Sequence, residues 1–301
     1  MNPLPTSEER VWAVLSHLSA VAFGIGLFLP ILGWSEQRRK SKYASFQCLQ
    51  ALGYQSLGYT VWLLAYLLIV LAAMVLLIVM SFRAEASGQV LDPLEGPAVA
   101  LLSISAFGFL AFYALLPIVA AVACAFGRDY RYPVLGNRLA RYLGYEHTAE
   151  ADSLNEANEE RWVASMGHFS VIIALWGLLA PLSAWILQGR HSSFLKFQSI
   201  QTTVFQVFVT ILYVLAGVFY VIGLVVVFAV LGLEGNPNLG SSAGMAGLIL
   251  FFVTLLIAAL IMLSVPFFHI LGQYAGYRLL KGENYRYPLV GRLVVRWMAK
   301  P

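Results

Sequence analysis

Six stretches of the chain, 11–34, 43–82, 98–126, 162–189, 197–233 and 235–277, contain no Asp, Glu, Lys or Arg. A helix needs roughly 20 apolar residues to cross the hydrocarbon layer, so each is long enough to enter a bilayer, and the longest leave room for tilt or an interfacial lead-in. Over 301 residues, 60% hydrophobic and 11% charged, the mean hydropathy is +0.77, too apolar for a soluble domain of this length. The chain reads as an all-α, polytopic integral membrane protein. Residues 1–10 carry two glutamates and no basic cluster, so a cleaved secretory signal is not expected. The two cysteines, Cys48 and Cys124, lack metal-ligand spacing and say nothing firm about redox compartment.

The chain repeats itself. "EERVWAVLSHLS" at 8–19 returns as "EERWVASMGHFS" at 159–170, an offset of 151 that also carries Pro30 to Pro181, Trp34 to Trp185 and Phe46 to Phe197. "YRYPVLG" at 130–136 returns as "YRYPLVG" at 285–291 with an offset of 155. Self-similarity over such a length marks two copies of one unit, residues 1–145 and 159–301. Between them, 146–158 and the first residues of the second unit hold Glu146, Glu150, Asp152, Glu156, Glu159 and Glu160, which reads as a solvated acidic linker.

Charge placement bears on topology. If all six stretches crossed the membrane, the 19 Lys and Arg would divide 10:9 between the two faces, with no positive-inside bias. If the first stretch of each unit enters and leaves by one face, every basic residue except Arg83 falls on one side, 18:1. The sequence therefore predicts two parallel repeats, each made of a re-entrant broken helix pair, two transmembrane helices and a C-terminal amphipathic interfacial helix. The basic side and both termini are then cytoplasmic. Gly24, Gly26 and Pro30, and Gly177 and Pro181, are the expected hairpin-break residues, since Gly and Pro weaken helix continuity. The interfacial helices carry Arg138 and Arg141, and Arg292 and Arg296, at spacings of three and four among apolar residues, a pattern suited to anionic headgroups.

The repeated polar residues are the candidate site. His17 and Ser19, with His168 and Ser170, sit just inside the apolar boundary of the first stretch. Gln47, Gln50 and Gln55, with Gln198, Gln201 and Gln206, form a stripe along one side of the second. A buried amide needs a hydrogen-bond partner, and the hairpin break or the two histidines could supply it. Two roles fit: a structural one, holding the hairpin to the long helix, and lining of a wet groove between the units. Paired histidines also raise a bis-histidine haem or metal site, but each lies near the surface without a second ligand, so no cofactor is expected. No Asp, Glu, Lys or Arg lies inside the six apolar stretches, which disfavours ion-coupled transport, and no HExxH, GxSxG or P-loop occurs, which leaves no candidate residues for hydrolase or ATPase chemistry.

With "EERVWAVLSHLS", the mid-segment Gly and Pro, "FQCLQA" and "YRYPVLG" in order, each unit resembles a bacterial membrane domain grouped with the chloroplast inner-envelope translocon (Tic) subunit. That resemblance implies a small helical membrane domain in the bacterial inner (plasma) membrane and no catalytic residues. Two function classes follow. One is a non-enzymatic scaffold, assembly or accessory subunit. The other is a passive conduit or protein-translocation component. The expected partners are anionic lipid and a larger membrane complex or homo-oligomer, with no nucleic acid.

Overall fold

The computed structural model describes residues 4–87, 95–145, 153–233 and 242–299. Among these the chain is helical, without strands. Six helical stretches are long and apolar enough to cross a membrane: Ser7–Gln37, Lys42–Phe82, Leu102–Ala125, Glu156–Gln188, Ser193–Val230 and Ser242–Leu280.

The first stretch of each unit is broken. Helix α1 (Ser7–Leu18) starts from a capping box, with Thr6 and Glu9 exchanging side-chain and backbone hydrogen bonds, so its N-terminal donors are satisfied locally. A 3-10 segment (Ser19–Leu27) and α2 (Phe28–Gln37) follow. In the 3-10 segment Phe23 adopts φ 50°, ψ −141°, and the chain turns back on itself. Gln37 Nε2 donates to Glu8 Oε1 at 2.9 Å, so the end of α2 lies beside the start of α1. Gly26 packs so closely on the Ser19 carbonyl that a Cβ there would lie 1.8 Å from its oxygen.

The second unit repeats the arrangement with α6 (Glu156–Phe169), a 3-10 segment (Ser170–Leu178) and α7 (Leu179–Gln188). Ala174 takes the positive φ of 48°, and a Cβ on Gly177 would lie 2.1 Å from the Ser170 oxygen. The non-helical backbone falls on Phe23 and on Ile173 and Ala174, within 3-10 segments that hold Gly24, Gly26 and Gly177, while Pro30 and Pro181 lie beyond those segments. Pro30 and Pro181 stand third in α2 and α7, within the first turn, where a missing N–H leaves no bond unmade. Gly26 and Gly177 permit the close approach of the two arms, and Gly24 makes room for Trp176 and Ile173 of the second unit.

Each hairpin leads into two long helices, α3 (Lys42–Ser87) and α4 (Glu95–Ala125), then α8 (Ser193–Leu233) and α9 (Ser242–Leu280). Their outer parts expose Leu68, Val75, Phe228 and Leu263, surface of the kind that a hydrocarbon layer covers. Short amphipathic helices close the units: α5 (Leu135–Leu143) and α10 (Val290–Met298). Helix α5 buries Leu139 and Leu143 and leaves Arg138 and Arg141 exposed; α10 buries Val294 and exposes Arg292 and Arg296.

The main core gathers both units at the hairpin end. Trp34, Phe46, Leu49 and Leu143 of the first pack in one cluster with Trp162, Met166, Leu195 and Leu279 of the second. Across this contact Arg38 is almost wholly buried, its guanidinium 2.9 Å from Glu156, 3.8 Å from Glu159 and 3.4 Å from Glu160, and it also donates to Gln188 Oε1 at 2.9 Å. Glu159 and Glu160 are thus withdrawn from solvent as a clamp on the first unit, while Glu156 pairs with Arg38 from an exposed position. Glu146, Glu150 and Asp152 lie outside the described residues.

Candidate functional site

The polar residues singled out from the sequence converge inside each unit. His17 on α1 and Gln47, Gln50 and Gln55 on α3 are fully buried, as are His168, Ser170, Gln198, Gln201 and Gln206, and Ser19 is nearly so. His17 Nε2 lies 3.0 Å from Gln47 Oε1, and His17 Nδ1 lies 3.0 Å from the Tyr132 hydroxyl. Gln47 donates through Nε2 to Asp129 (2.9 Å) and to the Tyr130 carbonyl (3.1 Å), so its oxygen faces the histidine and accepts. His17 therefore carries its proton on Nε2, and Nδ1 accepts from Tyr132. Burial pushes the Tyr132 phenol well above its ordinary pKa, which keeps it a donor.

Gln50 bridges the same elements. Its Nε2 donates to the Tyr130 carbonyl at 3.0 Å, and its Oε1 accepts the Tyr132 backbone N–H at 2.9 Å. Gln55 reaches the hairpin, donating to Ser19 Oγ at 2.9 Å and to the Ser16 carbonyl at 3.2 Å, while Ser19 Oγ donates to that same carbonyl at 2.8 Å. One stripe of amides on α3 thus ties the broken first helical stretch to the "YRYP" turn ahead of α5.

The second unit builds the same network. His168 Nδ1 meets the Tyr287 hydroxyl at 2.9 Å and His168 Nε2 meets Gln198 Oε1 at 3.2 Å. Gln198 and Gln201 donate to the Tyr285 carbonyl at 3.2 and 3.0 Å, and Gln201 accepts the Tyr287 N–H at 3.3 Å. Gln206 donates to the Gly167 carbonyl at 2.8 Å and to Ser170 Oγ at 3.2 Å. Tyr54 stacks on Tyr132 in one copy, and Phe205 on Tyr287 in the other.

Two further differences bear on the histidines. Asp129, which accepts from Gln47, has Asn284 as its counterpart; Ala51 is matched by Thr202, whose hydroxyl lies 3.0 Å from His168 Nε2. Sequence reasoning missed the tyrosine turn as a partner, treating "YRYP" only as a marker of the repeat. Its signal was there: the four residues recur unchanged, which a mere helix lead-in does not require.

Both ring nitrogens of His17, and both of His168, are engaged within their own units, which competes directly with axial ligation of a haem. Among the described residues no three His, Cys, Asp or Glu side chains gather as a ligand set. His269 pairs with Tyr213 at 3.1 Å. Arg138 stands at the rim of a cleft of about 730 Å³ between α3, α4, α5 and α6, lined by Tyr54, Trp62, Tyr113, Tyr142 and Trp162.

A family model described as the magnetosome magnetite crystal formation protein family (MamF/MmsF) matches the chain twice, over residues 8–139 and 159–294. This corrects the resemblance to the Tic translocon subunit. The residues that carried that likeness belong to the hydrogen-bond network, which fixes how a unit is held together and not which assembly it serves. No curated protein and no solved structure matches the chain. With both units matched in full order, the chain belongs to the MamF/MmsF family of magnetosome membrane proteins, as a tandem duplication.

Proposed function

We propose that this protein is a non-enzymatic accessory of the magnetosome membrane, a rigid double-unit scaffold that takes part in magnetite crystal formation. The observation that carries the reading is the duplicated network: the buried histidines and amides are all tied to the chain's own tyrosines, serines and carbonyls. Such networks rigidify a fold, and none of these groups is presented to a substrate.

The two units stand parallel, each hairpin dipping into the membrane and returning to its starting face. The Glu8–Gln37 contact, the Gly26–Ser19 and Gly177–Ser170 approaches and the 18:1 charge division support this arrangement. The basic face, with both termini, lies in the cytoplasm. There Arg138, Arg141, Arg292 and Arg296 meet anionic headgroups.

Deletion of the gene in its magnetosome-forming host, followed by electron microscopy of the crystals, tests the role. Altered crystal size or number, restored by the intact chain but not by a chain carrying Gly26→Leu and Gly177→Leu, is expected. Unchanged crystals would contradict it.

A further inference from the structure

The two units touch partly through equivalent elements, α2 on α7 and one 3-10 segment on the other, and partly through faces that are not equivalent. Helix α6 of the second unit lies on α3 of the first, whereas α1 makes no comparable packing on α8. Trp162 is the centre of the contact: its indole N–H donates to the Leu49 carbonyl at 2.9 Å, its ring lies against Gly53, and Tyr142 stands 6.2 Å away. The α6-on-α3 part of the contact has no counterpart between α1 and α8, so one copy of each of its two faces is left unused.

Both unused faces are present. At the offset of 151, Trp162, Met166 and Phe169 correspond to Val11, Leu15 and Leu18. The first three are 5%, 0% and 7% exposed; their counterparts are 54%, 42% and 41% exposed. On the other side, Leu49, Gly53 and Tyr142 correspond to Ile200, Val204 and Trp297, and these three line an open cleft of about 380 Å³ between α8 and α10.

The paired changes conserve volume. Where the internal contact sets a tryptophan on a glycine, the free faces carry Val11 and Val204, two residues of middling size. Gly53 is needed under Trp162, since a Cβ there would lie 2.4 Å from the ring. Val204 would exclude a tryptophan but admits a valine.

We propose that a second copy of this chain docks its α1, through Val11, Leu15 and Leu18, into the α8/α10 cleft, reproducing between molecules the α6-on-α3 part of the contact that joins the two units. Each added molecule presents the same free cleft again, so the assembly grows head-to-tail. The internal clamp is not reproduced, because Gly189 stands at the position of Arg38, so the contact between molecules is weaker than the one within them. The proposal rests on the parallel orientation of the units, which puts both faces at one depth in the membrane, but not on any role in crystal formation.

Val11→Cys and Val204→Cys variants, carrying different tags and expressed together, are treated in native membranes with a short bismaleimide. Cys48 and Cys124 are buried, and the unsubstituted chain serves as the background. The mixture is expected to give a dimer containing both tags, each variant alone no dimer, and the doubly substituted chain a ladder of dimer, trimer and higher species. Addition of Ile200→Trp, which fills the cleft beside residue 204, to the doubly substituted chain is expected to remove the ladder. Dimers from Val11→Cys alone would show face-to-face docking and overturn the proposal. No dimer in any arm, from protein that elutes as a folded species, would assign both faces to lipid and overturn it equally. Thiol labelling of the turns after α2 and α7 reports the orientation separately, so failure of docking and failure of the parallel arrangement are distinguishable.

Discussion

His17 Nε2 lies 3.0 Å from Gln47 Oε1, and the same pair recurs as His168 and Gln198 at 3.2 Å. The second histidine has a reserve acceptor in the Thr202 hydroxyl; the first has alanine there. Removing an amide from such a site leaves buried partners unpaired at about 1–3 kcal/mol each. Gln47→Leu is therefore expected to lower the thermal midpoint in detergent more than Gln198→Leu does, since it also strips Asp129 of a donor. Equal losses, or the reverse order, would show that Thr202 and Asp129 do not carry the difference.

The hairpin turns give a prediction of opposite sign. Ala174 is held at φ 48°, a region costly for any residue with a Cβ. Ala174→Gly is expected to stabilise the protein by about 1 kcal/mol. Gly177→Ala, which drives a methyl group onto the Ser170 carbonyl, is expected to destabilise it by several times that amount, as is Gly26→Ala in the first unit. Differential scanning calorimetry of the purified protein checks both signs.

Arg38 joins the units, and its loss leaves Glu159 buried without its cation. Breaking a buried pair from one side costs about 3–5 kcal/mol, so Arg38→Ala is expected to loosen the contact between units strongly. Limited proteolysis near 146–158 is the readout: faster release of two fragments is predicted, and an unchanged digestion rate would mean that the apolar core alone holds them.

Liposomes reconstituted with the protein are expected to show no solute flux above protein-free vesicles, because the glutamine stripe is sealed by the tyrosine turns and α5. Reproducible flux abolished by Gln47→Leu with Gln198→Leu would favour a conduit over a scaffold.

The helical, multi-pass character was legible because membrane spans are written locally, in the composition of single stretches long enough to cross. The repeat was legible because a gap-free offset needs no structure. The place of the chain reversal was less so. Gly24, Pro30 and Pro181 stand out by residue type, yet the turn falls on Phe23 and Ala174, whose strained backbone is imposed by packing between the arms. The burial of Glu159 and Glu160 was illegible for a related reason: a carboxylate looks solvated until a buried arginine, 122 residues from Glu160, is brought to it, and nothing local in "LNEANEE" announces Arg38. The family, likewise, could not be told from motifs whose work is internal hydrogen bonding.

Thiol labelling of the turns after α2 and α7 bears most directly on the architecture. Lys40→Cys and His191→Cys place thiols at exposed positions in those turns, and Ser242→Cys places one at the start of α9. With a membrane-impermeant maleimide on sealed vesicles of known orientation, the first two are expected to label from the same face and Ser242→Cys from the other. Labelling of Lys40→Cys and His191→Cys from opposite faces would mean that the opening helices cross the bilayer and that the two units are inverted.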